Sequence, residues 1–263
     1  MIQNILIRGF LFVFFIFNFQ ISRAQMSSGG EGKRSDKDFS FMPIPYINYD
    51  RTLGLSGGFL PMAMYNLSKK DTISPSSISG GFGMYTTNKS WFLLQFNKLY
   101  FNEDLYRAII AAGVGSFNFQ FYSDLPFIQD FIGYNAAVNF FKIELQRQII
   151  PEFYIGLNYA YAEMYTELDI SVEVSEQVYL NGLGGILSYD GRDNVYYPYR
   201  GSLANIKYSS FPKFMGNDFE SNKIVIDFNK YFEMKNERDI IALRAYAGIG
   251  IGELSFNQHY GWE

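Results

Sequence analysis

From residue 41 onward, apolar residues alternate with small or polar ones in runs separated by short clusters of turn formers. The alternation predicts eleven strands, at 41–49, 53–66, 77–87, 90–101, 105–122, 131–148, 152–166, 177–190, 201–212, 221–234 and 239–252. The eleventh is the cleanest. Ile241, Leu243, Ala245, Ala247, Ile249 and Ile251 share one face, and Ala242, Arg244, Tyr246, Gly248, Gly250 and Gly252 share the other. In the tenth, Ile224, Ile226 and Phe228 oppose Lys223, Asp227 and Asn229. In the seventh, Phe153, Ile155, Leu157, Tyr159 and Tyr161 oppose Gly156, Asn158, Ala160 and Ala162. One face is thus apolar and aromatic, the other small or polar. Two runs depart from this rule. In the sixth, Asn135 and Asn139 occupy odd positions whereas Lys142, Glu144 and Gln146 occupy even ones, which predicts a bulge or a misplaced boundary near Phe140-Phe141. In the fourth, Leu93-Leu94 and Gln95-Phe96-Asn97-Lys98 fit either face.

A soluble sandwich alternates in the same way, with its apolar face in the core. Three features favour an all-β transmembrane barrel instead. The strands are long, as a tilted crossing requires. Tyr and Phe gather near strand ends, where aromatic girdles lie. The second face is rich in Gly, Ser and Asn, which suits a shared lumen, and Asn158, Lys207, Asp227, Asn229 and Arg244 are the candidate lumen residues. Residues 1–24 read as a secretory signal peptide: Arg8 is the positive charge, Gly9 to Phe19 the apolar core, and Ser22-Arg23-Ala24 places small residues for cleavage before Gln25. Residues 25–40 form a polar leader, and 41–263 the barrel domain. Longer odd-to-even connections (Ser123 to Asp130, Glu167 to Glu176, Pro212 to Asp218) would face outward, and shorter even-to-odd ones would face the periplasm; the stretch from Ser68 to Ser76 is an exception.

Composition narrows the chemistry. The 263 residues are 48% hydrophobic, 19% aromatic and only 18% charged, with no cysteine and one histidine. Thiol catalysis, disulfides and multi-His metal sites are therefore excluded. A net charge of −4 gives no basic surface for nucleic acid. Ser255 and His259 are the remaining nucleophile and base, and on an extended strand end they stand too far apart for a hydrogen bond. The expectation is a protein that is not an enzyme and needs no cofactor.

The most specific stretch is Tyr189-Asp190-Gly191-Arg192-Asp193-Asn194-Val195-Tyr196-Tyr197-Pro198-Tyr199-Arg200-Gly201, between the eighth and ninth strands. It resembles the turn before the ninth strand in the barrel of the BamA/TamA family (bacterial surface antigen family), with Asp190, Arg192, Asp193, Pro198 and Gly201 at the matching positions. The motif's own chemistry is structural, with Arg192 free to pair with Asp190 or Asp193. The resemblance spans about residues 41–263. It implies insertion or translocation of proteins, or of lipids, at the outer membrane, through a weak seam between first and last strands that accepts a client strand. Pro43 and Pro45 mark the first strand as a weak edge, or simply as the barrel's start. The implied partners are outer-membrane lipid and unfolded client proteins.

Two departures stand out. The family's periplasmic polypeptide-binding repeats are absent, and so are five of its sixteen strands and the inward loop bearing an Arg-Gly-aromatic motif; Arg8-Gly9-Phe10 lies in the signal peptide. The expectation is a C-terminally incomplete barrel: a fragment, a smaller self-closing barrel, or a chain completed by a second polypeptide. A passive pore or structural barrel is the alternative function.

Overall fold

The computed structural model describes residues 39–125, 128–169, 174–218, 220–234 and 239–252. They form one antiparallel sheet of eleven strands, each paired with its neighbours in sequence. The strands are β1 (Phe39–Asp50), β2 (Gly54–Tyr65), β3 (Ser77–Thr86), β4 (Trp91–Phe101), β5 (Tyr106–Leu125), β6 (Ile128–Ile150), β7 (Phe153–Asp169), β8 (Val174–Asp190), β9 (Gly201–Phe211), β10 (Ser221–Glu233) and β11 (Ile240–Gly252). All eleven expected strands are present, and β1 starts two residues inside the expected leader. The signal-peptide core, the rest of the leader, Ser255 and His259 lie outside the described residues. No described helix is long and apolar enough to cross a membrane.

The sheet curls around one face. Arg107 on β5 reaches Asp190 on β8, and Glu144 on β6 reaches Lys207 on β9, although neither strand pair is adjacent. These side chains define the concave face. The convex face carries the apolar set: Leu157 is 66% exposed, Leu243 57% and Leu93 54%. Aromatics bound this band at both levels. Phe101, Tyr106 and Phe153 ring the end where even strands turn into odd ones, and Tyr85, Trp91 and Tyr165 stand on the convex face towards the other end. On β4, Trp91 and Phe101 are ten residues apart. That is about 33 Å of strand, or ~25 Å of depth at the usual barrel tilt, the height of an outer-membrane apolar band. β1 and β11 are the unpaired edges of the described sheet, which is not closed.

Three expectations need correction. First, β6 has no phase change at Phe140-Phe141. Its pairing with β5 and β7 runs unbroken up to Gln148, where the only shift occurs, between Gln148 and Ile150. The even positions stay concave throughout, but their character changes from Tyr134, Val138 and Phe140 to Lys142, Glu144 and Gln146. Second, and for the same reason, the concave face is not uniformly small and polar. Phe82, Phe92, Phe117, Phe119, Tyr134, Val138 and Leu53 form a buried apolar cluster. The Phe119 and Tyr134 rings stack at 5.0 Å and the Tyr46 edge meets Phe82 at 5.3 Å. Each such ring stabilises the curl by about 1.5–3 kcal/mol when buried. Third, the outward loops expected from Ser123 to Asp130 and from Glu167 to Glu176 are largely strand. Ser123 pairs with Asp130, Asp124 with Gln129, and Glu167 with Ser175. Ser123-Asp124, Pro126 and Gln129-Asp130 are turn formers and read as loop, whereas Glu167 to Ser175 alternates polar and apolar residues as a strand does.

Connection length therefore does not orient the sheet. The longer connections include 66–76 and 191–200, both on the even-to-odd side. The overhang orients it better. Trp91 ends the pairing of β4 at Ser116, yet β5 runs on to Leu125. The β5–β6 hairpin thus runs nine residues past that level, ~30 Å of strand or ~23 Å of height at the same tilt, and β7 runs four residues past Tyr165, which stands level with Trp91.

Leu157→Arg places a charge in the convex band. We expect the protein refolded in lipid vesicles to lose about 2–4 kcal/mol by denaturant titration. An unchanged midpoint would make the convex face a water-exposed surface.

Candidate functional site

The turn 191–200 folds over the concave side and is built by its own motif. Arg192 grips Asp190 with two hydrogen bonds, Nε to Oδ1 at 2.7 Å and Nη2 to Oδ2 at 2.9 Å, and its Nη1 donates to the Val195 carbonyl at 2.9 Å. Arg192 is thus the partner of Asp190, not of Asp193. The Asp193 carboxylate accepts the Tyr199 amide at 3.0 Å, and the Asn194 side chain accepts the amides of Tyr196 and Tyr197. Pro198 restricts the chain between those two caps. Gly201 closes the turn at φ 104°, with the Gly191 carbonyl 2.1 Å from where a Cβ would stand, so no other residue fits. From this platform Tyr196 crosses the concave side and donates to the Ser76 carbonyl in the 66–76 connection. Burial pushes the Tyr196 hydroxyl up to about 12, so it stays a donor.

Arg107, the one cation of β5, ties this turn to three other elements. Its guanidinium donates to Asp190 Oδ2 at 2.8 Å, to both Asp104 oxygens at 2.8 and 2.6 Å, and to the Tyr154 hydroxyl at 2.9 Å. It also lies 3.8 Å over the Tyr154 ring, and Tyr154 donates to Asp104 at 2.8 Å. Two guanidiniums and two carboxylates cancel, with fork geometry that satisfies most donors. Asp104 is held there at a conformational cost. Asn102, Glu103 and Asp104 all have positive φ (53°, 59° and 65°), the left-handed region that costs ~1–2 kcal/mol per residue. Asp71 and Ser74 of the 66–76 connection hold the strained turn. Asp71 accepts the Glu103 amide at 2.9 Å and Ser74 Oγ accepts the Asp104 amide at 2.7 Å. Burial raises the Asp71 carboxyl somewhat, but hydrogen bonds from the Ser74 hydroxyl and from the amides of Ser74, Glu103 and Ile73 outweigh it and hold the group at about 2.

The five candidate lumen residues share the concave face but form two separate groups. Lys207 binds Glu144 at 2.8 Å, and Lys142 binds the same oxygen at 3.0 Å. Asn158 donates to the Gly185 and Tyr208 carbonyls and accepts from Ser209 at 3.0 Å. These groups fill the interior between β6 and β9. Arg244 pairs with Asp227 at 2.9 Å on the open flank, where Arg244 is 61% exposed, and Asn229 stands opposite Arg244 in the register. An exposed pair of this kind contributes at most about 1 kcal/mol.

The free edge of β1 has its own chemistry. Pro43 stands opposite Pro61. Neither has an N–H, so this rung is a non-hydrogen-bonded pair, and its donor positions point away from the partner strand. Pro45 shares that parity. The outward edge of β1 therefore lacks two donors in mid-strand, whereas β11 contains no proline.

Arg107, Asp104, Tyr154 and Glu144 were not singled out by sequence reasoning as site residues. A lone charge in an apolar run was the available signal for Arg107, and the phase conflict in the sixth run was the one for Glu144.

Asp190→Asn should cost about 3–5 kcal/mol in denaturant unfolding, because it leaves Arg107 and Arg192 underpaired in the interior. Asp193→Asn keeps the accepting oxygen and should cost under about 1 kcal/mol; equal losses would mean that the pairing with Arg107 contributes nothing. The depressed Asp71 group adds stability that is complete above its unfolded value of 3.8 and is lost as pH falls towards about 2. The Glu103 amide proton resonance should titrate with a midpoint near 2, and a midpoint near 4 would break the latch assignment.

An Omp85 superfamily domain model matches residues 77–261, from β3 to past β11. No curated protein matches the chain.

Proposed function

The chain belongs to the Omp85 superfamily, whose members are outer-membrane proteins, and on that footing we propose that it inserts or translocates proteins at the outer membrane without catalysing a covalent step. Residues 1–24 act in this reading as an export signal, cleaved before Gln25. The observation that carries the proposal is the interrupted β1 edge. A client strand pairing there gains backbone hydrogen bonds along the edge, except that positions 43 and 45 accept through their carbonyls and donate none. The edge holds a strand long enough to satisfy it in lipid and releases it for the next. A second polypeptide that completes the sheet would use the same two edges. A passive pore fits less well, since the aromatic cluster fills one end of the concave side and salt bridges fill the other.

Proteoliposomes containing the full chain should speed the folding of a urea-denatured outer-membrane barrel client, read by its heat-modifiable migration. Restoring donors with Pro43→Ala and Pro45→Ala should prolong the client-bound state, because each added hydrogen bond contributes about 0.5–1.5 kcal/mol. Unaccelerated client folding, together with a steady single-channel conductance, would replace the proposal with a passive pore.

A further inference from the structure

A shallow, open groove of about 440 Å³ lies on the convex face among the described residues. Its cause is the small outer face of β5. Ala112 and Val114 form the floor, Leu93 the wall on β4 and Phe141 the wall on β6. Phe141 is braced by Tyr159, with ring centres 6.3 Å apart. The groove is continuous with the lipid-facing band, so its floor and walls meet hydrocarbon.

One end is polar. Leu93, Val114, Asn139 and Glu163 form a single rung across β4 to β7, two residues inside the Trp91 level. That is the depth of the headgroup boundary. Asn139 and Tyr161 line the groove, and both donate to Glu163 Oε2, at 3.4 and 3.3 Å, while Gln177 donates to Oε1 at 2.7 Å. Tyr179 also hydrogen-bonds it, so four neutral donors share the carboxylate, two of them at long range, and none of the four carries a charge to offset it. No cation is paired with it among the described ion pairs.

We propose that this groove seats one acyl chain of a membrane lipid whose headgroup carries a primary amine, with the ammonium donating to Glu163. Charge complementarity selects the amine over an anionic headgroup, and the apolar walls select a chain over a free headgroup. The proposal rests on the convex face meeting lipid and is independent of any client-insertion role.

The test is native mass spectrometry of the delipidated full chain, refolded in detergent and offered phosphatidylethanolamine or phosphatidylglycerol. Wild type should retain one phosphatidylethanolamine in preference by about tenfold or more, as one charge-assisted hydrogen bond gives. Glu163→Gln should bring the two lipids to near parity, and Ala112→Trp, which fills the floor, should abolish retention of both. Heat-modifiable migration reports the folding of each variant; if Ala112→Trp does not fold, the wild-type preference and Glu163→Gln decide. Equal retention of both lipids by wild type would overturn the proposal as ordinary annular lipid. So would an unchanged preference in Glu163→Gln, or undiminished retention in folded Ala112→Trp.

Discussion

Lipid has nothing to offer a backbone N–H or C=O, and each one left unpaired there costs several kcal/mol. The architecture follows from that constraint. A meander in which every inner strand has two neighbours satisfies all its ladders with short connections. What remains are the two edges, β1 and β11. Among the described strands they are the most expensive backbone and therefore the natural points of association. The prolines of β1 lower that cost where the donors would have been, and so weaken whatever pairs there.

The curled interior answers a second demand. A sheet with apolar residues outside must hold its curvature from within. It does so in two parts, with stacked rings on the concave side of β3–β6 and a lattice of two guanidiniums and two carboxylates centred on Arg107 near the even-to-odd turns. The lattice depends on the strained Asn102–Asp104 turn, which Asp71 and Ser74 hold from another connection. The turn before β9 thus stabilises a long-range contact, from Tyr196 to Ser76, rather than a local bend alone.

Much of this was legible in the sequence, and the failures have physical causes. β7 was readable because its two faces meet different surroundings, and β11, exposed along its whole length at the edge of the described sheet, was readable from its strict alternation. β6 was misread because its concave face passes from an aromatic cluster to a charged one, so polarity changed while geometry did not. The ends of β5 to β8 were misread because turn formers at Ser123-Asp124 and Gln129-Asp130 outweighed the pairing, and because the alternation from Glu167 to Ser175 was read as a loop. The turn motif was visible as a pattern, but its partner Arg107 lies 83 residues away and only the register of β5 to β8 brings the two together. The Omp85 superfamily match over residues 77–261 agrees with the resemblance carried by that motif.

The central claim is that the convex face of the sheet meets lipid and the concave face does not. The chain has no cysteine, so single cysteines can be introduced along β11 from Ile241 to Ile251 and spin-labelled after refolding in vesicles. The account predicts strict alternation: odd positions relaxed by oxygen dissolved in the bilayer, even positions by a water-soluble nickel complex. Uniform access to the water-soluble reagent along the whole strand would contradict it.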